Sequence, residues 1–348
     1  MPRDGAPAAA SGWERAVRGA LTDRRSALGL ALFAIVAVVP AYALSESYLL
    51  SVLILVLANA QAASAWNLAG GLAGQMSFGH AAFFGLGAYT SAMLFTASVP
   101  FGAMALGGLV AAVCAAMIGY LCLRFRGFHF ALATFALAEV MRIVARNWVG
   151  LTNGVLGIFL DADRFRILGG RFDLGRPSKV HYYLLALVLA AATVAVTAFV
   201  SRHKAGYFFQ AIREDENAAQ AVGINVTGYK VLALVLSGFF TALAGSSYAL
   251  YAQYVSPDEV FSVSFSVKVI FITLVGGVGT IWGPVVGAVV MTALEEWLRV
   301  YFPYSHEFIY GLLIVVVMLF MPMGIVGKLR DVAVARSRKD VASAPARS

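Results

Sequence analysis

Charged side chains and cysteines are both scarce in this sequence. Only 13% of its 348 residues are charged, whereas 60% are hydrophobic, a composition that excludes an ordinary soluble globular domain. The two cysteines, Cys114 and Cys122, lie about two helical turns apart within one apolar run, where we expect them to pack as small apolar side chains. Neither a disulfide nor a metal site is therefore predicted.

Motifs for nucleotide binding and for metal-dependent hydrolysis are also missing. No G-x-x-x-x-G-K-[ST] loop occurs, because the one Gly-Lys pair, at Gly327, continues with leucine. There is no H-E-x-x-H motif and no convincing arrangement of nucleophile and base, which leaves a membrane-embedded enzyme without support. We therefore expect neither a catalytic site nor a cofactor on this chain.

Long apolar runs, by contrast, recur along the whole chain. Runs of about 20 residues can cross a bilayer as helices, so the sequence predicts an all-α, polytopic transmembrane bundle. The ten predicted spans lie at 26–44, 48–69, 76–97, 101–123, 128–146, 180–200, 228–252, 266–280, 284–301 and 304–323.

The distribution of positive charge predicts how the spans are oriented. The net charge of +8 is concentrated in short segments between apolar runs, as in cytoplasmic loops of membrane proteins, and nucleic-acid binding is not expected. We predict a basic cytoplasmic segment at 1–25, a transmembrane domain at 26–327 in the cell (inner) membrane, and a cytoplasmic tail at 328–348. Within the domain, the loop 202–227 is predicted to be cytoplasmic and the long loop 146–180 external.

The first apolar run has two readings. The basic residues before it and the triplet Ala41-Tyr42-Ala43 imitate a secretory signal. The basic region is long for a signal, however, and we favour an uncleaved first span.

Two glycine-rich segments suggest an internal pseudo-repeat. The sequence from Gly70 to Gly87 resembles the sequence from Gly276 to Gly287. Transporters are often built from related halves with broken helices at corresponding positions, which would place both segments on a translocation path. Glycine also permits close helix packing in membranes, and both explanations remain open.

Polar groups near these glycines are candidates for the substrate path. Unwound backbone can bind the charged ends of an amino acid, although a tight turn or a packed histidine are the competing explanations. Glu139 lies inside a predicted span, where an ionisable group is costly, and it serves either gating or a structural ion pair with Arg142. The full candidate set is Asn67, Gly71, Gly74, Gln75, Ser77, His80, Glu139, Gly276, Gly277 and Gly279.

The polar segment 202–225 predicts a short amphipathic cytoplasmic helix. Its apolar residues Phe209, Ile212, Ala219 and Val222 recur at helical spacing, and Gly223 suits the C-terminal cap. Interfacial membrane helices usually carry a basic polar face. Because three consecutive acidic residues dominate this one, docking to a protein is favoured over binding to the membrane surface.

Four separated stretches resemble branched-chain amino acid ABC permeases of the LivM/LivH type. They read GGLAGQMSFGHAAFFGLGAY, LTNGVLGI, AIREDENAAQAVGINVTGYKVLALVLSGFFTALAGSSYALY and YVSPDEVFSVSFSVKVIFITLVGGVGTIWGPVVGA, and together they extend the similarity over about 45–325. The resemblance implies an importer permease working with two ATPase subunits that hold ATP and Mg²⁺, a second permease chain and an extracytoplasmic substrate-binding protein.

In that family the loop corresponding to 202–227 couples the permease to its ATPase. The resemblance implies coupling roles for Phe209, Ile212, Arg213, Glu214, Asp215, Glu216, Ala218, Ala219 and Gly223. In the wider ABC-permease pattern a Glu directly precedes the two alanines, whereas here Asn217 intervenes, which puts the role of Glu216 in doubt.

The long external loop contains a predicted turn and several basic residues. Thr152, Asn153 and Gly154 fit a turn, and the loop that holds them is a natural docking site for a binding protein, with Arg164, Arg166, Arg171 and Arg176 available for acidic partners. Two alternative functions remain: an ion-coupled secondary transporter or channel without ATPase partners, and an ABC permease for urea or short amides.

Overall fold

The computed structural model describes residues 48–95, 100–122, 125, 127–160, 166–167, 172–173, 179–320 and 324–328. The predicted first span 26–44, the basic segment 1–25 and nearly all of the tail 328–348 lie outside these residues, as do Arg164, Arg171 and Arg176 of the long loop.

The described chain is mostly helical. Its longer helices are α1 (Tyr48–Trp66), α2 (His80–Phe95), α3 (Pro100–Cys122), α4 (Phe128–Asn147), α6 (Lys179–Arg202), α7 (Lys204–Glu214), α9 (Val226–Ala252), α11 (Val263–Gly276), α12 (Gly283–Tyr301) and α13 (His306–Phe320). Short helices are α5 (Val149–Thr152), α8 (Glu216–Ala221) and α10 (Pro257–Val260), and a π-helical turn (Asn67–Leu72) continues α1.

Six stretches among the described residues are long and apolar enough to cross a membrane: 48–72, 101–122, 128–147, 179–202, 226–252 and 257–276. Each overlaps a predicted span, although 257–276 begins nine residues before the span predicted at 266–280. Helices α2, α12 and α13 also occupy predicted positions but are not among the six. Helix α2 is shortened because the chain before His80 is irregular, and α12 carries Glu295, Glu296 and Arg299 in its second half.

The mostly helical chain agrees with the predicted all-α class, and it also contains a few short strands. Two antiparallel pairs of two-residue strands occur in the described residues, β1 (Ile158–Phe159) with β4 (Tyr254–Val255), and β2 (Arg166–Ile167) with β3 (Phe172–Asp173). The first pair ties the loop after α4 to the end of α9. The predicted turn precedes it: Asn153 has φ 60°, and its Nδ2 donates to Gly157 O at 2.8 Å.

Helix α9 forms the centre of the bundle and packs along α2, α3 and α1. Small residues permit this close approach, since a Cβ added to Gly87 would lie 2.0 Å from Ala242 O, and one added to Gly245 would lie 2.0 Å from Phe84 O. For Gly87, the close-packing explanation of the predicted glycine pattern is therefore correct. Both cysteines are free.

Large apolar side chains point outward along several helices. On α3, Val113, Met117 and Tyr120 are 60%, 62% and 72% exposed. Hydrophobic surface of this extent is stable against lipid or a partner protein rather than water, which agrees with a membrane-embedded chain.

Candidate functional site: a glycine junction and an opposing cavity

The first glycine segment is an irregular break between α1 and α2. Helix α1 widens into the π-helical turn Asn67–Leu72, a local distortion that often occurs at functional sites. Gln75 N donates to Ala69 O at 2.9 Å, and Gly74 adopts φ 71°, which favours glycine. The chain resumes regular helix only at His80.

The second glycine segment joins α11 to α12. Helix α11 ends at Gly276, and the chain then turns through Gly277 and Gly279, which have φ 127° and 76°. A Cβ added to Gly276 would lie 1.8 Å from Gly283 O. The ends of α11 and α12 therefore touch through their backbones.

Asn67 joins the two segments. Its Nδ2 donates to Thr280 O at 2.9 Å, and its Oδ1 accepts from Gly279 N at 2.8 Å. A Cβ added to Gly71 would lie 2.8 Å from Gly279 N. The segments that resemble each other in sequence thus lie in contact, and we refer to residues 67–74 and 276–283 together as the glycine junction.

Helix α7 reaches the glycine junction through Arg213. Arg213 Nη1 donates to Gly71 O at 2.7 Å, and a Cβ added to Gly279 would lie 2.4 Å from the same nitrogen. A Cβ added to Gly74 would lie 3.2 Å from Arg213 Cα. One arginine of the predicted coupling segment therefore contacts both glycine segments.

The predicted single helix at 202–225 is in fact two helices, α7 and α8. Asp215 interrupts them with φ −155° and ψ 114°. Its Oδ1 accepts from Asn217 N at 2.8 Å and from Ala218 N at 3.1 Å, which is a typical N-terminal cap. Gly223, with φ 87°, follows α8 as predicted for its C-terminal end.

The apolar face of this segment points into the bundle. Phe209, Ile212 and Ala219 are buried, and Phe209 packs in one cluster with Leu68 and Leu72. Val222 does not belong to this face, because it is 77% exposed; the break at Asp215 rotates α8 relative to α7. Among the other residues predicted for coupling, those exposed are Arg213, Glu214, Asp215, Ala218 and Gly223.

Glu216 has a defined partner within this chain. Its carboxylate pairs with the ammonium group of Lys230, whose side chain is only 8% exposed. The Lys230 carbonyl oxygen accepts from Gln75 Nε2 at 2.9 Å. Glu216, which lies one position earlier than the glutamate of the wider ABC-permease pattern, therefore anchors α8 to the start of α9. Through Gln75, the start of α9 is in turn linked to the chain beside the glycine junction.

His80 belongs to a buried hydrogen-bond network. Ser237 Oγ donates to Ala65 O at 2.6 Å, which uses its one proton, so the 2.6 Å contact between Ser237 Oγ and His80 Nε2 has the histidine nitrogen as donor. Ser77 O accepts from Trp66 Nε1 at 2.9 Å. These contacts fit the packed-histidine explanation and hold α1, α2 and α9 together.

Glu139 lies apart from the glycine junction. Arg142 contacts its carboxylate through Nε at 2.9 Å and Nη2 at 2.5 Å, and its Nη1 lies 2.5 Å from Asp258 Oδ1. Asp258 also lies 3.6 Å from Arg146. The structural ion pair proposed for Glu139 is present, and it extends across to α10.

A cavity of about 450 Å³ lies at the other end of the bundle. Helix α1 spans the distance between the two regions, because Tyr48 at its start donates to Glu296 Oε2 at 2.7 Å whereas Asn67 at its end reaches Thr280. The charged residues that line the cavity are Asp258, Glu259, Lys268, Glu295, Glu296 and Arg299. We call this space the far-end cavity.

Sequence reasoning identified none of the residues that line the far-end cavity. A usable signal was present, since Lys268, Glu295, Glu296 and Arg299 interrupt apolar helices just as Glu139 does. The far-end cavity assembles from helices distant in the chain, so the sequence does not reveal that these charges meet.

Comparison with known proteins places the chain in a family. The sequence model described as branched-chain amino acid transport system / permease component matches residues 45–321. LivM, a high-affinity branched-chain amino acid transport system permease protein, is 30% identical over 289 residues in Salmonella typhimurium and 29% identical over 292 residues in Escherichia coli. Both matches cover 76% of this chain and 66% of LivM, so the chain spans just under two thirds of these relatives.

A second type of relative, LivH, supports the same family. LivH, also named as a permease protein of that transport system, is 24% identical in Salmonella typhimurium, over 74% of this chain and 87% of LivH. No solved structure gives a significant match. Because the family model covers residues 45–321, the chain belongs to the family described as branched-chain amino acid transport system / permease component.

Proposed function

We propose that this chain is a permease subunit of an ABC importer, forming a translocation path for branched-chain or other hydrophobic amino acids. In this proposal the N- and C-termini and α7–α8 face the cytoplasm, and ten helices cross the inner membrane. Two ATPase subunits supply ATP and Mg²⁺, while a second permease chain and a substrate-binding protein complete the assembly. The observation that carries the proposal is the contact between Arg213 and both parts of the glycine junction.

That contact gives α7 a direct mechanical link to the junction. Phe209 and Ile212 hold α7 against the bundle, while acidic and small residues of α7–α8 remain exposed for a partner. A force applied to the exposed side would displace Arg213 relative to Gly71 and Gly279. The ion pair between Glu216 and Lys230 would transmit the same displacement to α9.

The glycine junction and the far-end cavity support a path with one closed end. At the junction, backbones meet at distances that leave no room for a Cβ, whereas the far-end cavity is open enough for a small solute. In the proposed orientation, this is the arrangement of a permease closed towards the cytoplasm. Transport then requires the junction to separate when α7 and α8 move.

The test is to substitute Arg213→Ala in the complete transporter. We expect the number of amino acid molecules transported per ATP hydrolysed to fall roughly tenfold, because a charge-assisted hydrogen bond contributes about 1.5–3 kcal/mol. The measurement is parallel uptake and ATP hydrolysis in proteoliposomes. Lys204→Ala, which removes an exposed cation from the same helix, is the matched control and should leave the ratio unchanged.

Two results would contradict the proposal. A wild-type ratio in the Arg213→Ala complex would show that this contact does not couple the two activities. Uptake by the isolated chain under an ion gradient, with no ATPase present, would instead favour the ion-coupled secondary transporter.

A further inference from the structure

The far-end cavity is lined by both charged and apolar side chains. Leu55, Phe84 and Phe265 provide apolar surface, and the rings of Phe84 and Phe265 pack at a tilt of 33° with centroids 4.0 Å apart. Asn59 and Thr292, joined by a 2.9 Å hydrogen bond, line its buried part. A compact solute with one charged end and a short aliphatic body would find both kinds of contact in this lining.

The charged part of the cavity lining has an excess of negative charge. It contains four carboxylates and two cations, Lys268 and Arg299. Lys268 Nζ lies 2.6 Å from Glu295, and Arg299 Nη1 lies 3.2 Å from Glu296. These pairs neutralise two of the carboxylates. Asp258, a third, is held by arginines of α4.

Glu259 is the remaining carboxylate. Its Oε1 accepts a hydrogen bond from the neutral hydroxyl of Tyr248, and none of the cations in the described part of the chain forms an ion pair with it. Glu259 is therefore the carboxylate of the cavity lining that accepts from a neutral donor and forms no ion pair within the described residues. The four carboxylates and two cations of the lining sum to a net charge of −2. A concave site with an excess of one sign of charge concentrates solutes of the opposite sign.

We propose that the far-end cavity is a binding site for the ammonium group of a small solute, with Glu259 as its main charged contact. Tyr248 orients the carboxylate, and the solute's aliphatic part lies against Phe84 and Phe265. Amines and zwitterions are admitted, whereas solutes carrying only a carboxylate are repelled. This inference rests on the proposed function, because it assigns the far-end cavity to the translocation path.

Charge-selective thiol labelling tests the inference on the full chain in lipid nanodiscs. With Cys114 and Cys122 replaced by alanine, a single cysteine is introduced as Ser264→Cys, at an exposed position lining the cavity. Ser305→Cys, exposed but outside the lining, is the matched control. Each thiol reacts with a cationic trimethylammonium-ethyl or an anionic sulfonatoethyl methanethiosulfonate.

We expect the ratio of cationic to anionic labelling rates to be about tenfold higher at Ser264→Cys than at Ser305→Cys. Adding Glu259→Gln, which keeps an acceptor for Tyr248 but removes the charge, should bring the ratio close to that of the control. Equal ratios at the two positions, or a ratio insensitive to Glu259→Gln, would overturn the inference. An unchanged Ser305→Cys labelling rate and thermal midpoint show that Glu259→Gln has not unfolded the chain.

Protection by small ligands identifies the recognised group. Leucine and 3-methylbutylamine should slow labelling of Ser264→Cys, whereas 4-methylpentanoate at the same concentration should not. Protection by the acid and not by the amine would refute ammonium recognition. The labelling experiment contains no ATPase, so a failure of ATP-driven transport would contradict the proposed function without changing the labelling result. Conversely, labelling that does not depend on reagent charge, in a complex that does transport, would overturn the binding-site inference and leave the proposed function standing.

Discussion

Replacing Asn67 by alanine tests whether its amide holds the glycine junction closed. The amide makes two hydrogen bonds, to Thr280 O and from Gly279 N, and both are partly buried. A hydrogen bond contributes about 1 kcal/mol net, and about 0.6 kcal/mol between membrane helices. We therefore expect Asn67→Ala to lower the free energy of unfolding by about 1–2 kcal/mol.

Reversible unfolding of the full chain in mixed micelles, titrated with dodecyl sulfate, measures this loss. Asn147→Ala is the matched control, because it removes one exposed hydrogen bond, from Nδ2 to Ile143 O at 2.8 Å, and should cost less than about 0.5 kcal/mol. If Asn67→Ala unfolds at the free energy of the wild type, then backbone packing alone closes the junction and the role assigned to the amide is wrong.

Two further substitutions probe the surroundings of the junction with the same titration. Gly279→Ala should cost about 1–2 kcal/mol, because φ is 76° and its Cβ would meet Arg213; Gly311→Ala, in a helix with open space around it, should cost nothing, and equal losses would refute the steric argument. Glu216→Gln should cost roughly 2 kcal/mol by leaving the Lys230 ammonium buried without its partner, and adding Lys230→Met should restore part of that loss. A double variant no more stable than Glu216→Gln would count against a buried-charge effect.

Most helix positions were predictable because an apolar run in lipid must satisfy its own backbone hydrogen bonds. The residues at which the helices begin and end were less predictable. The span predicted at 266–280 is observed at Val263–Gly276, since Ser262 Oγ caps its start at 3.2 Å from Ser264 N and Gly277 ends it with a positive φ. Such ends depend on one side chain or one dihedral angle, which hydropathy does not register.

Part of the candidate site was likewise predictable from the sequence, and part was not. The two glycine segments were recognisable because their local sequences resemble each other, and their contact through Asn67 fits the suggestion of related halves. The break at Asp215 was missed, because the helical spacing of Phe209 and Ile212 appeared to continue through it to Val222. The charged far-end cavity was missed because its members come from different helices, and only tertiary packing brings them together.

The positions of the two regions along α1 indicate what an opening motion must do. The far-end cavity ends near the Asn59–Thr292 contact, and the glycine junction begins at Asn67. Between them, Ala63 is almost completely buried and belongs to the same hydrophobic cluster as Ile272 and Met291. Thr273 Oγ1 donates to Ala63 O at 3.3 Å.

A solute leaving the far-end cavity towards the junction must therefore separate α1 from α11 and α12. Apart from the hydrogen bond of Thr273 to Ala63 O, the buried residues named on this stretch are small or aliphatic and offer no polar contact against that separation. The hydrogen bonds of Asn67 and Arg213 lie at its end, where backbones are closest. In the proposed importer, movement of α7 would thus act first on the contacts that close the path, rather than on the apolar packing behind them.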